Sequence, residues 1–329
     1  MDRFERIDSA IAGRATDQVP MALWKHFPVE DQDPMRLAAL TVEWQRRWDS
    51  DLVKFMPSGT YSVEDWGAKS EFQGAGNGAR AVVVPGVSKP EDWLRLRRLD
   101  PGKGVLGAQN SALRAAAKEL GGSVPILQTL FSPLTTARKL AGDAALFDHI
   151  RNHRDALHAG LRTITDTTID FAVAALEAGA HGFFLATQCA NTDILSVPEY
   201  REFGMRYDLE VLAAVKDRAR YRMLHAHGFD VMFDLLASYP VEMMNWHDRL
   251  TPPPLDEAQK RFKGAVVGGI AELDLLVTGT PEEVRAQVHD AIERTQGRRF
   301  VVGPGCVAGI HAPEANFRAV LEASGRKLP

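Results

Sequence analysis

The sequence predicts an α/β protein folded as a single (β/α)8 barrel, and three observations carry that reading. Eight short apolar runs recur along the 329 residues, and nearly every one is followed by a stretch of helical periodicity. The runs are apolar at consecutive positions, which suits parallel strands covered on both faces. No G-x-G-x-x-G follows the first run, so a closed barrel is preferred over an open dinucleotide-binding sheet.

In chain order, residues 3–13 read as a helix, apolar at Phe4, Ile7, Ala10 and Ile11. Residues 19–24 are the first strand, ending at Lys25 and His26, and a helix over 35–48 follows. The second strand, 51–56, is closed by Pro57-Ser58-Gly59. Residues 60–87 are a long insertion containing a hairpin, with the β-rich run Ala81-Val82-Val83-Val84 near its end. Its Gly-rich stretch 74–78 is a turn and not a phosphate loop, since no helix pattern follows. Helices near 89–95 and 108–120 lead to the third strand, 124–130. Ser132-Pro133 opens a helix, Pro being suited to the first turn. A long helix over 152–178 is ended by Gly179. The fourth strand, 182–187, runs into Gln188 and Cys189, and a helix over 197–217 precedes the fifth strand, 220–226. A helix over 229–237 and the sixth strand, 241–246, end in His247-Asp248. A short helix, 255–261, precedes the seventh strand, 265–270. Thr280-Pro281-Glu282-Glu283 signals the start of a helix over 281–294. The eighth strand is 299–302, and a helix over 314–324 closes the chain.

Composition bounds the function. The chain is 45% hydrophobic and 25% charged, as ordinary globular proteins are. Length alone suggests two domains, but barrels reach this size as one, so a single domain over 1–329 is expected. A net charge of −4 without a Lys/Arg stripe gives no footprint for nucleic acid. No apolar run of about 18 residues exists, so no transmembrane helix is expected. The charged start Met1-Asp2-Arg3-Phe4-Glu5-Arg6 lacks the apolar core of a secretory signal. Two cysteines do not make a disulfide framework, and a reducing cytoplasm is the expected compartment.

In a (β/α)8 barrel the active site lies at the C-terminal ends of the strands. The chemically distinctive residues of this sequence collect there: Lys25, His26, Lys54, Gln128, Gln188, Cys189, His225, His227, residues 245–248 and Cys306. The centre of the set is His225-Ala226-His227-Gly228. Residues i and i+2 of a strand share a face, so both imidazoles look the same way from a strand end. A third, soft ligand would complete an open zinc site of three protein donors. Cys189 and Cys306 compete for that place: Cys189 is nearer in barrel order, while Cys306 follows the Gly303-Pro304-Gly305 turn. Taken singly, each of these residues is equally well explained as a solvated strand end. A disulfide between the two cysteines is not expected, since their strands lie opposite.

The chain resembles the uroporphyrinogen decarboxylase superfamily over nearly its whole length. The resembling stretches are Ile11-Ala12-Gly13-Arg14 through Val19-Pro20, Phe131-Ser132-Pro133-Leu134-Thr135, Leu195-Ser196-Val197-Pro198-Glu199-Tyr200, His225-Ala226-His227-Gly228, Gly268-Gly269-Ile270 and Gly303-Pro304-Gly305-Cys306. The resemblance implies a (β/α)8 barrel. True decarboxylases of that superfamily carry Arg-Gln-Ala-Gly-Arg after the first strand and a catalytic Asp after the second. Here those places read Trp24-Lys25-His26-Phe27-Pro28 and Lys54-Phe55-Met56-Pro57. The other branch is similar to methylcobalamin:thiol methyltransferases, which bind zinc through His-x-Cys after strand five and a Cys after strand eight. This chain matches at His225 and Cys306 and departs at His227, where an imidazole replaces the thiolate and makes the metal a stronger Lewis acid.

The resemblance therefore implies zinc on His225, His227 and Cys306, and methyl or alkyl transfer involving a small substrate. A corrinoid on a partner protein is the implied methyl donor or acceptor, and Lys54, Tyr61, Gln128 and His247 are candidates to orient the substrate. A different class of enzyme stays open: a metal-free lyase of the decarboxylase type. In it Lys25, Lys54 and His247 would bind carboxylates, and a His or Asp248 would supply protons. A barrel that only binds a small ligand is the third reading.

Overall fold

The computed structural model describes residues 1–326, and nine strands occur among them: β1 (Val53–Phe55), β2 (Lys69–Phe72), β3 (Arg80–Val84), β4 (Ile126–Phe131), β5 (Gly182–Thr187), β6 (Tyr221–Ala226), β7 (Met243–Trp246), β8 (Ala265–Ile270) and β9 (Phe300–Pro304). Seven of them form one parallel sheet in the order β1-β4-β5-β6-β7-β8-β9, and β2 pairs with β3 in a separate antiparallel hairpin. Every residue of β4, β5 and β8 is buried, as a sheet covered on both faces requires. The covering layer is helical. The helix Arg154–Glu177 buries Leu157, Leu161, Ile164 and Phe171 along one stripe.

The expected first strand, 19–24, is not a regular strand, yet it occupies the eighth place in the barrel. Met21 bridges Val302 and Lys25 bridges Ala308, both in parallel. Ala22 N donates to Val302 O and Asp51 N to Met21 O, both at 2.8 Å, so the segment joins β9 to the residues just before β1. Pro20 has no N–H to give, which interrupts a ladder. Side chains complete it: Met21 N donates to Asp51 Oδ2 at 2.9 Å and Leu23 N to Ser50 Oγ at 3.2 Å. Barrel closure is thus partly made by side chains.

Two helical expectations change, while the long helix over 152–178 forms as Arg154–Glu177, with a further helix, Asp143–Asn152, before it, parted where His153 leaves helical geometry. The helix over 197–217 contains a π-turn at Arg201–Met205; Gly204 there leaves room for the Tyr200 ring, which a Cβ would approach to 2.4 Å. The helix over 229–237 shrinks to Phe233–Leu236. No helix of the described residues is long and apolar enough to cross a membrane.

The insertion folds back across the mouth of the barrel. Ile310 N donates to Gly76 O at 2.9 Å, which pins the tip of the β2–β3 hairpin. Gly78 sits at φ +77, and a Cβ there would come within 2.7 Å of His26 Cβ and 2.8 Å of Ile310 Cγ2. Only glycine allows that approach.

Candidate metal centre

Strand register decides which side chains meet. Ala186, His225 and Asn245 stand level across β5, β6 and β7. His227 follows on the same face as His225, His247 comes just after β7, and Cys306 just after β9. The donor atoms of His225, His227, His247 and Cys306 all lie within 4.8 Å of one another. His247 Nε2 is 3.1 Å from His227 Nδ1, and Cys306 Sγ is 3.5 Å from the same atom. The turn before Cys306 needs its glycine: a Cβ on Gly305 would lie 2.9 Å from Glu272 Oε2 and 3.0 Å from Trp246 O.

Two of the imidazoles are aimed from behind. Asn245 Nδ2 donates to Val267 O at 2.9 Å and to Pro304 O at 3.0 Å, which turns its Oδ1 toward His225. That oxygen lies 2.7 Å from His225 Nδ1, so Nδ1 carries the proton and Nε2 keeps its lone pair. Glu272 Oε1 lies 2.6 Å from His247 Nδ1 and does the same for the second ring.

Burial alone would push the Cys306 thiol up, but His225, His227 and His247 outweigh burial and hold it well below the ordinary thiol range. Burial also opposes a charged His247, yet Cys306 and the Glu272 carboxylate raise that ring to about 10, so a metal binding there would displace a proton from Nε2 while Glu272 keeps the one on Nδ1. His225 is lowered by burial, with Cys306 offsetting only part of it. A thiolate among imidazoles, two of them with a fixed tautomer, is a donor set ready for a metal. Neighbouring donors of a tetrahedral zinc lie about 3.3–3.6 Å apart, close to the two separations measured around His227 Nδ1. These residues therefore fit a zinc-sized, borderline-soft ion.

The structure changes the expected roles. His247, expected to orient substrate, stands among the donors, so the set has four protein members instead of three. Tyr61 and Gln128 do not reach the mouth. Thr129 and Phe131 are the β4 residues that face the cavity, and period-two alternation turns Gln128 the other way. The Tyr61 hydroxyl donates to Thr129 O at 2.7 Å, and Gln128 Nε2 donates to the same oxygen at 3.0 Å. Lys54 does face the cavity. Lys25 instead lies over Phe27 and Trp44. Asp248 is spent on Gly269 N, at 3.0 and 3.1 Å, and is pushed up to about 7 by burial. Cys189 is buried away from the cluster, and burial raises its thiol to about 12.

A cavity opens on His225, His227 and Cys306; His247 stands behind them, off its lining. The hairpin supplies Asn77, Ala79 and Arg80, and the helix Pro133–Ala141 supplies Lys139. None of the lining residues is Asp or Glu. Lys54 is pulled down to about 7 by burial, which Cys306 partly offsets. Lys139 is pulled to about 8 by burial, with Arg138 adding to it. His26 is held neutral, near 3, by burial and then by Lys54 and Lys139. A cation–π contact returns ~0.5–2 kcal/mol, less than the several kcal/mol of burying an ammonium. Lys54 over Phe184 at 4.2 Å is thus only partly compensated.

Glu272, Lys139 and Arg80 went unremarked in the sequence. Glu272 follows the seventh strand as His247 follows the sixth, so strand-end reasoning extended by two residues finds it. Lys139 and Arg80 lie on a helix and a hairpin, where no strand-end pattern points to them.

Comparison with known proteins agrees with this architecture. The family model for uroporphyrinogen decarboxylase matches residues 5–326. A methylated-thiol–coenzyme M methyltransferase of Methanosarcina mazei is 23% identical over 96% of this chain and 87% of its own. A methylcobamide:CoM methyltransferase of Methanosarcina acetivorans is 22% identical over 74% of this chain and 70% of its own. A uroporphyrinogen decarboxylase of Rhodococcus opacus is 28% identical over 75% of this chain and 69% of its own. Among solved structures, a methyltransferase from Methanosarcina mazei has a TM-score of 0.84 at 20% identity, covering 99% of this chain and 98% of that one, which establishes the shared fold.

Proposed function

The chain belongs to the uroporphyrinogen decarboxylase family, and within it we propose a zinc-dependent methyl- or alkyltransferase acting on a small substrate at the barrel mouth. The observation that carries the proposal is the convergence of His225, His227, His247 and Cys306 within 4.8 Å, with Asn245 and Glu272 orienting two of the rings. The methyltransferases among the relatives, named for methylcobamide, supply the donor class: a corrinoid, carried by a partner protein that docks at the mouth.

The four residues would hold the ion, and the ion would supply Lewis acidity that lowers the pKa of a thiol or oxygen acceptor at neutral pH. The chain's own residues do the rest. The substrate enters from the side of His225, His227 and Cys306, because these three line the cavity and His247 backs them. Asn245 and Glu272 keep both Nδ1 protons turned outward. The hairpin tip and Trp24 narrow the water path, and Lys54 orients the bound molecule.

One observation favours a second reading, the metal-free decarboxylase-type lyase: the cavity is lined by cations and by no carboxylate. One of its expected proton donors, Asp248, and one of its expected carboxylate ligands, Lys25, lie off the cavity, while the alternative donors, His225 and His227, line it.

Elemental analysis of the purified protein separates the two. About one zinc per chain is expected, with loss of it in His225→Ala and Cys306→Ser and retention in Cys189→Ser. Methyl transfer from methylcobalamin to a thiol, followed by the cobalamin spectrum, should fall with the metal. A metal-free parent, or full occupancy in His225→Ala, would remove the proposal in favour of the lyase.

A further inference from the structure

The three rings of the centre are not held alike. His225 and His247 turn Nε2 inward and point Nδ1 outward at a protein oxygen, Asn245 Oδ1 at 2.7 Å and Glu272 Oε1 at 2.6 Å. His227 stands the other way round. Its Nδ1 is the inward nitrogen, 3.1 Å from His247 Nε2 and 3.5 Å from Cys306 Sγ. The two nitrogens of an imidazole lie on different sides of the ring and are chemically distinct, so His227 Nε2 looks away from the centre. Among the described residues that nitrogen has no hydrogen-bond partner. It is not sealed in protein either, since the ring is half-buried and lines the cavity.

The main chain that carries this ring is fixed on both sides. His227 N donates to Thr187 O at 2.9 Å, and Asn191 Nδ2 donates to His227 O at 2.9 Å. Gly228 follows at φ +106, where a Cβ would come within 2.9 Å of Asn191 Nδ2. Only the side-chain torsions of His227 are left free, and no second residue holds its outer edge. When Nδ1 of a neutral imidazole serves an ion, the proton resides on Nε2. A ligating imidazole ordinarily gives that second proton to a carboxylate, a carbonyl or water, which orients the ring and strengthens the ligand. Asn245 and Glu272 accept it from two rings, and no residue accepts it from the third. The open side of His227 is the cavity, so the missing acceptor comes from what the cavity holds.

We propose that His227 serves the centre and the substrate together: Nδ1 belongs to the donor set, and Nε2–H donates a hydrogen bond to an acceptor atom of the bound molecule. This rests on the reading of His225, His227, His247 and Cys306 as a zinc site and deepens it. The substrate class it names is a small molecule with an oxygen or similar acceptor a few atoms from its reacting end. A plain alkyl chain leaves the N–H unpaired, and a site built to hydrogen-bond its substrate discriminates against the analogue that lacks the acceptor.

Calorimetry on the purified full-length protein, with zinc measured on the same sample, tests this with two uncharged thiols of the same size. 2-Methoxyethanethiol carries an ether oxygen and 1-butanethiol does not. N-methylated histidines introduced in place of His227 separate its two nitrogens. With Nε2 methylated, zinc should stay at the parent's level, and the preference for the ether thiol over the alkyl thiol should fall about three- to tenfold, as for one lost hydrogen bond. With Nδ1 methylated, zinc should be lost. His227→Cys is the independent variant, should a methylated ring fail to fold. It keeps a ligand atom without any N–H, and should retain zinc and show the same fall in preference. Zinc lost on Nε2 methylation but kept on Nδ1 methylation would overturn the proposal, since the ring then faces the other way. A parent without zinc removes the metal reading and this proposal together. A zinc-loaded parent whose variants keep the parental preference removes this proposal alone, because the N–H then serves only water.

Discussion

At the scale of single residues, the centre depends on groups that touch no cavity wall. Glu272 has one carboxylate oxygen on His247 Nδ1 and the other, Oε2, buried without a partner. An uncompensated buried carboxylate is costly, so its place is explained by the charge it faces. In Glu272→Gln the ring keeps a neighbour of similar shape but loses the charge that strengthens its donor nitrogen. Metal affinity should fall about 10–100-fold, read by competition with a chromophoric chelator, while the fold, read by circular dichroism, is retained. Unchanged affinity would mean that His247 is not a ligand and that the four-donor set is wrong.

At the scale of elements, the hairpin is the part of the barrel mouth least constrained by the sheet. It is held by Ile310 N to Gly76 O and by the close approach of Gly78 to His26. Gly78→Ala would add the cost of a left-handed residue, ~1–2 kcal/mol, and a methyl in a space already filled by His26 Cβ and Ile310 Cγ2. The tip must then lift. Turnover should drop by roughly tenfold or more, since misplacement by about an ångström costs up to ~10²-fold, while zinc content stays at the parent's level. Parental turnover in Gly78→Ala would show that the hairpin does not take part in closing the site.

At the scale of the whole molecule, buried carboxylates set how stability responds to pH. Asp208 accepts from the Tyr200 and Tyr239 hydroxyls at 2.8 and 2.9 Å beneath the π-turn, and burial raises it from 3.8 to about 7. A raised folded-state pKa contributes stability that is fully present below the unfolded value and lost as pH rises through the folded one. The window here is therefore about pH 4 to 7. His26 and His225, lowered by burial, act with the opposite sign, so the parent's own curve is mixed and only a difference isolates Asp208. The Tm of the parent minus that of Asp208→Asn should be larger at pH 5 than at pH 8, with roughly 2–4 °C for each kcal/mol in a chain of this size. A difference that grows toward pH 8 would reverse the assignment. The same scale limits the substrate. A cavity walled by Trp24 and covered by the hairpin suits a small ligand, and the first-strand end brings Lys25 and His26 where decarboxylases have two arginines. Incubation with uroporphyrinogen should yield no coproporphyrinogen at an enzymatic rate; turnover near about 1 s⁻¹ would favour the lyase.

The sequence by itself determined the barrel and one end of its chemistry. Parallel strands buried on both faces must be apolar throughout, and a chain that alternates them with amphipathic helices has few ways to close, so the architecture is written locally. His225 and His227 were legible for the same reason: alternation along one strand puts i and i+2 on one face, whatever the rest of the molecule does. Tertiary structure decided what depends on register and on distant segments. Gln128 differs from Thr129 by one position on β4, and a single step of pleat sends it to the helical layer instead of the cavity. His247 joins the donors because β7 stands level with β6, a relation between strands that no run of residues records. Glu272, Lys139 and Arg80 reach the site from a loop, a helix and a hairpin separated by long stretches of chain. Their charges converge only once the barrel has closed, because electrostatic partnership is fixed by distance in space and sequence separation carries almost none of it.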